Sequence, residues 1–67
     1  MSVSLKILKI KQVVECTSLS ISTIERAVKR GEFPKPLKLS VRAIGWLESD
    51  INQWIEDRIN NYQRTYE

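Results

Sequence analysis

The feature that most constrains this chain is a short amphipathic segment enclosed between two helix-breaking stretches. It lies within TSLSISTIERAVKRGEFPKP, residues 17–36, whose serines can cap a helix by accepting bonds from its free backbone amides. At the other end, Gly31 suits the left-handed position that closes a helix, and Pro34 and Pro36 prevent its continuation. The stretch therefore predicts one short helix with separate elements before and after it.

The start of this helix is open to two interpretations. Ser20 can cap the helix alone, whereas Ser22 and Glu25 fit the spacing of a capping box, in which the acidic side chain folds back on the cap. In the second case Glu25 becomes less available to a ligand.

One side of the predicted helix is apolar and the other is polar and basic. At about 100° per residue, the apolar side chains share roughly a third of the circumference and must face a core, namely Ile21, Ile24, Ala27 and Val28. The opposite side and its flanks carry the hydroxyl and charged groups, namely Ser22, Thr23, Glu25, Arg26, Lys29 and Arg30. Such a face can be ordinary solvated surface, or it can enter a major groove, where arginine binds guanine and a carboxylate accepts from the cytosine amine.

The residues before this helix predict a short strand and a first helix. The apolar run LKILKI, residues 5–10, is compatible with a lead-in strand. From Ile10 to Thr17 the apolar positions follow helical spacing, which predicts a helix of about two turns over residues 11–16. Cys16 falls within this apolar segment, so a core thiol is favoured over a reactive one.

The residues after it predict a β-hairpin and a third helix. LKLSVRAIGW, residues 37–46, alternates on both sides of SVR, as expected for two strands joined by a turn at residues 40–42. A helix over residues 50–61 follows, with Ser49 as its cap and Asp50 in its first turn. One face of this helix is apolar and predicted to close the core, namely Ile51, Trp54, Ile55 and Ile59.

The aromatic side chains allow two roles. Trp46 and Trp54 could stack on bases, but both occupy apolar-periodic positions, so core packing is favoured. Phe33, just after the second helix, is likewise predicted to plug the core.

Composition narrows the functional class. The 67 residues predict one domain, residues 1–67, in which residues 62–67 are expected to fray. The chain has no histidine and one cysteine, so neither an enzyme, a metal site nor a cofactor is expected. No apolar run approaches the ~20 residues of a membrane span, and the N-terminus lacks a signal-peptide pattern. We therefore expect a cytoplasmic protein.

The net charge of +3 is unevenly distributed. Residues 1–47 contain nine Lys/Arg and three Glu, a balance of +6, whereas residues 48–67 contain two Arg and five Asp/Glu, a balance of −3. This asymmetry favours a basic working face on an acidic scaffold. The expected partner is anionic, with nucleic acid favoured over a membrane surface.

The order of the elements predicts a winged helix-turn-helix, mainly α with a small β-hairpin. Two helices joined by a short turn precede a hairpin that stands at the distance of a wing. Cations of the hairpin and its approach, Lys35, Lys38 and Arg42, are expected to contact DNA phosphates or the minor groove.

The sequence also resembles the AlpA-type regulators of phages and prophages. The matching features are T-x-L-S-x-S-T-I (residues 17–24), Arg26, G-x-F-P-K-P-x-K-L (residues 31–39), Arg42 and G-W-L-x-S-x-I-x-x-W-I (residues 45–55). These regulators are excisionase-like proteins with the winged-helix fold of the MerR-type DNA-binding domain. The resemblance implies a sequence-specific binder of double-stranded DNA, acting as a transcriptional regulator or as a directionality factor for an integrase. It places Ser20, Ser22, Thr23 and Arg26 on the recognition helix, and Lys38 and Arg42 on the wing.

The chain departs from the family pattern in both the turn and the wing. Ser18 stands where glycine is usual, and Ser40 and Val41 replace two glycines before the wing arginine. On the recognition helix, Ile21 replaces a common basic residue and Glu25 an aromatic one, which implies an altered target sequence.

So small a domain is expected to load in several copies on DNA, because single modules bury only about 600–1,000 Å². Further partners that the resemblance implies are an integrase or RNA polymerase. A protein-interaction module is the alternative from another class, and five outward cations argue against it: Arg26, Lys29, Arg30, Lys38 and Arg42.

Overall fold

Three helices and a small antiparallel sheet make up the fold. The computed structural model describes residues 5–66. In chain order the elements are β1 (Ile7–Leu8), α1 (Ile10–Thr17), α2 (Ile21–Lys29), β2 (Leu37–Lys38), β3 (Ile44–Leu47) and α3 (Glu48–Tyr66). This confirms the predicted class, a mainly α domain with the element order of a winged helix-turn-helix.

The sheet joins the lead-in strand to the hairpin. Its order is β1-β3-β2, with both pairs antiparallel, so the predicted lead-in strand and the predicted hairpin are both present. The hairpin turn is closed by the Leu39 amide, which donates to the Ala43 carbonyl at 2.8 Å. The Ala43 amide donates in return to the carbonyl of Ser40, at 3.4 Å. Residues 40–42 therefore form the tip of the wing.

The turn between α1 and α2 adopts its tight form without glycine. Ser18 takes the left-handed conformation, with φ of 62°, and its amide donates to the Val14 carbonyl at 2.7 Å. The Thr17 hydroxyl donates to the Val13 carbonyl at 2.8 Å and accepts from the Leu19 amide at 3.3 Å. These bonds satisfy backbone groups that the end of α1 would otherwise leave unpaired.

The start of α2 is capped by Ser20 rather than Ser22. The Ser20 hydroxyl oxygen accepts from the Thr23 amide at 3.2 Å, so the capping box of Ser22 and Glu25 is not formed. Leu19, just before the cap, and Ile24 both pack in the core, at the spacing of a hydrophobic staple.

The end of α2 follows the prediction at Gly31. This residue is left-handed, with φ of 74°, and its amide donates to the Val28 carbonyl at 3.1 Å. The Glu32 amide reaches back to the Ala27 carbonyl at 2.9 Å. This pair of bonds is the Schellman pattern, which turns the chain sharply towards the hairpin.

The core is an apolar cluster in which the hairpin packs against the helices. Its buried members come from every element except β2, and from the loop after α2: Leu8, Val13, Ile24, Phe33, Trp46 and Ile51. Phe33 packs edge-on against Trp46, with ring centroids 6.4 Å apart, and against Trp54 at 4.9 Å. The indole N–H of Trp46 donates to the Pro34 carbonyl at 2.8 Å, and that of Trp54 to the Glu32 carbonyl at 3.1 Å. The predicted core roles of all three aromatics are confirmed.

Three side chains predicted to be buried are exposed. Ile21 is 46% exposed because it is the first residue of α2 and its side chain points beyond the helix end, away from the core. Ile59 is 51% exposed, two turns beyond Ile51, where α3 has left the core behind. Cys16 is exposed because it lies about 110° around the helix from the centre of the face that α1 turns to the core.

The third helix is longer than predicted. It begins at Glu48 rather than Asp50, so Ser49 lies inside the helix and is not its cap. The Glu48 amide donates to the Lys6 carbonyl at 2.8 Å. Its backbone is helical through Tyr66. The fraying expected for residues 62–67 stays a prediction, and residue 67 lies outside the described residues. In the span from 5 to 66, no helix has the length and apolarity needed to cross a membrane.

Candidate nucleic-acid interface

The outward face of α2 carries unpaired charges. Glu25, Arg26, Lys29 and Arg30 are all exposed. Over residues 5–66, these four side chains form no ion pair or hydrogen bond, even though Glu25 stands one turn before Lys29. Arg26 and Lys29 lie in the last turn, where the helix dipole favours cations. The three cations of this face are therefore available to an external anion.

The three hydroxyl residues predicted for the site differ in their availability. The Ser20 hydroxyl donates to the Thr23 hydroxyl oxygen at 2.9 Å while it caps the helix. Thr23 is half-buried and retains its own hydroxyl proton and one lone pair for a ligand. Ser22 is exposed, one turn before Arg26. Ser20 and Thr23 thus build the start of α2, and Ser22 extends its outward face.

A cleft of about 400 Å³ separates α2 from the base of the hairpin. Glu25 and Lys29 border it on one side and Ile44 on the other. Lys38 is paired directly with Ile44, and paired residues share one face of an antiparallel sheet. Lys38 therefore lies on the same sheet face as Ile44, the face that looks across the cleft towards α2.

The tip of the hairpin carries Arg42. Ser40, Val41 and Arg42 are exposed, and Val41 is 88% so. None of the three has positive φ, since Ser18 and Gly31 are the positions with positive φ among residues 5–66. The tip therefore closes without the glycines usual in related sequences.

The comparison with known proteins agrees with this architecture. The family of the prophage CP4-57 regulatory protein (AlpA) matches residues 6–59, most of the chain and all of the helix-turn-helix and hairpin. The chain belongs to the AlpA family of prophage regulatory proteins. It is similar to the uncharacterized protein ORF88 of Enterobacteria phage P4, with 32% identity over 92% of this chain and 70% of that protein. It is also similar to the DNA-binding transcriptional activator AlpA of Escherichia coli K12, with 28% identity over 82% of this chain and 87% of the activator.

Lys35 of this AlpA-family domain lies on the other side of the loop after α2 from the cleft that Lys29 borders, in a depression of its own. It lines a second depression, of about 570 Å³, together with Asp50 and Asp57 of α3. This neighbourhood could not be predicted, because Lys35 precedes the hairpin by two residues while α3 is distant along the chain. Lys35 therefore shares this depression with two carboxylates of α3.

The exposure of Ile21, at the start of this AlpA-family helix, was not predicted from the sequence. The helical spacing predicts that Ile21 and Ile24 share the apolar face of α2. This prediction is confirmed for Ile24, which is fully buried. The missing information was the position of the cap, which makes Ile21 the first helical residue.

Proposed function

We propose that this chain is a DNA-binding regulator of a phage or prophage. In this proposal α2 enters the major groove of double-stranded DNA, and the hairpin rests as a wing on the backbone or the minor groove. The observation that carries the proposal is the set of exposed cations on α2 and the hairpin that no described side chain neutralises, namely Arg26, Lys29, Arg30, Lys38 and Arg42.

The residues divide into two roles in the proposed complex. Arg26 lies in the last turn of α2 and its guanidinium is suited to bind guanine with two N–H groups, while the Ser22 hydroxyl contacts a neighbouring base or phosphate. Lys29, Arg30, Lys38 and Arg42 hold phosphates and fix the register. Ser20 and Thr23 act mainly by building the start of α2. Lys35 adds only long-range attraction, because Asp50 and Asp57 stand near it.

Transcriptional regulation is the form of this activity that the comparisons favour. The similar E. coli protein is described as a DNA-binding transcriptional activator, and the matched family is a regulatory one. A directionality factor for an integrase would use the same domain, but none of the described residues favours that alternative. The regulator would act in the cytoplasm, by binding rather than by catalysis.

Several copies acting together, with a protein partner, complete the proposal. One small module buries too little DNA surface for high affinity, so neighbouring copies are expected on adjacent sites. The outward face of α3 is acidic at Glu56 and Asp57 and is thus unsuited to DNA. It is left for a partner such as RNA polymerase or an integrase.

Selection of bound sequences from a random duplex library, at about 0.15 M salt, tests the proposal, because non-specific phosphate contacts weaken steeply as salt rises. A specific binder enriches one short motif. A variant in which Arg26 is replaced by alanine serves as the control and should lose the preference at one position of that motif. If the wild-type protein enriches no motif, the proposed function is wrong.

A further inference from the structure

Ile21 is an exposed apolar side chain on a helix whose other exposed residues are polar or charged. It is 46% exposed and is the one exposed aliphatic residue of α2, all of which the structure describes. The staple that fixes the start of the helix uses Leu19 and Ile24 instead, so Ile21 is not needed for that contact. It stands in the first turn of α2, the part of a recognition helix that contacts base edges.

Glu25 stands one turn further along the same helix. It is exposed and forms no ion pair with any described cation, although Lys29 follows it by one turn. A carboxylate among phosphate-binding cations would repel the DNA backbone. It is tolerated there if it faces a base amine instead, because the cytosine amine is the natural donor to Glu in the major groove.

We infer that Ile21 and Glu25 determine the target sequence, Ile21 by packing on the 5-methyl group of a thymine and Glu25 by accepting from the 4-amine of a cytosine. This inference rests on the proposed function and adds the identity of the bases. The thymine methyl group and the cytosine 4-amine are both exposed in the major groove, and neither can be contacted in the same way in the minor groove.

The helix geometry sets the spacing of the two bases. Four residues of an α-helix rise about 6 Å, and base pairs are about 3.4 Å apart. A helix that lies along the groove therefore brings Ile21 and Glu25 to bases within about two steps of each other. The expected motif contains thymine and cytosine at that separation, with a guanine nearby for Arg26.

Library selection with two variants tests the base assignments. Glu25→Gln should change the preference at one position from cytosine to adenine, because glutamine pairs with the adenine edge. Ile21→Ala should lose the thymine preference at a second position and leave the rest of the motif unchanged. Because both side chains are exposed, the two variants should keep the helical circular dichroism of the wild type.

Replacing the selected thymine by deoxyuridine removes only its methyl group. The loss of one buried methyl corresponds to roughly a fourfold weaker binding of the wild type. Ile21→Ala should be insensitive to the same replacement. Ile59→Ala, an equally exposed isoleucine on α3, and Glu15→Gln on α1 are the matched controls, and both should behave as the wild type does.

The outcomes separate this inference from the proposed function. If the wild type enriches no motif, the proposed function fails and the inference fails with it. If the wild type enriches a motif that both variants share, and deoxyuridine has no effect, the inference alone is wrong. A changed preference in Glu25→Gln without a methyl effect would keep the role of Glu25 and overturn that of Ile21.

Discussion

Arg26 and Arg42 are both exposed, unpaired cations, but they stand on different elements. Arg26 projects from α2, which the proposal places in the major groove, whereas Arg42 lies at the hairpin tip beside Val41. A base contact carries sequence information and a phosphate contact does not. The two arginines should therefore fail in different ways when they are removed.

Replacing Arg26 and Arg42 separately by alanine should show this difference in binding titrations. Arg26→Ala should cost about 1–3 kcal/mol on the selected motif and relax the preference at one position. Arg42→Ala should weaken binding to all duplexes alike and reduce the log–log salt slope by about one unit. Equal losses from Arg26→Ala on selected and random DNA would show that Arg26 contacts only phosphate.

Ser18 holds a left-handed conformation that glycine adopts without strain, with φ of 62°. Ser18→Gly should therefore raise the free energy of unfolding by about 0.5–1 kcal/mol. This is a net value, because the backbone strain that glycine relieves is partly offset by the greater flexibility that glycine gives the unfolded chain. Urea denaturation measures the change. Ser22→Gly, in the first turn of α2, is the control and should instead lower the free energy of unfolding. A destabilised Ser18→Gly protein would mean that the serine side chain itself supports the turn.

At the scale of the elements, β3 is the strand on which the wing depends, because it pairs with both β1 and β2. Gly45 lies in its middle, opposite Leu37. A Cβ atom there would approach the Ile7 side chain to 2.5 Å and the Leu8 carbonyl oxygen to 3.1 Å. The neighbouring strand β1 comes so close to Gly45 that a larger residue would collide with it.

Gly45→Ala should consequently lower the free energy of unfolding by about 1–3 kcal/mol, the usual cost of forcing an extra carbon into a packed site. Thermal or urea denaturation measures it. Ser40→Ala, an exposed substitution in the same hairpin, should stay within about 0.5 kcal/mol of the wild type. A Gly45→Ala protein as stable as the wild type would contradict the described approach of β1.

The helices and strands were predicted well wherever the chain carries residues that begin or end a helix or strand. The glycine and prolines after α2 fixed its end, and the change from helical to alternating periodicity identified the hairpin. The apolar spacing of α1 predicted its bounds to within one residue at each end. Such signals act through a few neighbouring residues, and for that reason they can be recognised without knowing the fold.

Contacts between distant parts of the chain could not be predicted in the same way. The start of α3 depends on the Lys6 carbonyl, which binds the Glu48 amide from the far end of the sequence. The position of Lys35 beside Asp50 likewise follows from how the loop packs on α3. The cations of α2 and the wing were predicted as one site, and their role in binding DNA stays a prediction.

At the scale of the whole molecule, the aromatic cluster connects the end of α2 to the hairpin and to α3. Phe33 and the two tryptophans anchor the loop after α2 to β3 and α3, through ring contacts and two indole hydrogen bonds. The basic charges lie largely before residue 48 and the acidic ones largely after it. The cations therefore lie mainly on the elements that the proposal assigns to DNA, α2 and the hairpin, and the carboxylates lie mainly on α3.

The ratio of affinities for the selected motif and for a scrambled duplex, measured at about 0.15 M salt, tests the central claim most directly. A specific regulator should bind its motif at least about 10³-fold more tightly, because base contacts persist where phosphate attraction is screened. A ratio near one, with both affinities falling together as salt increases, would contradict the claim. In that case α2 and the wing would attract the backbone alone, and the outward cations would belong to a surface without sequence recognition.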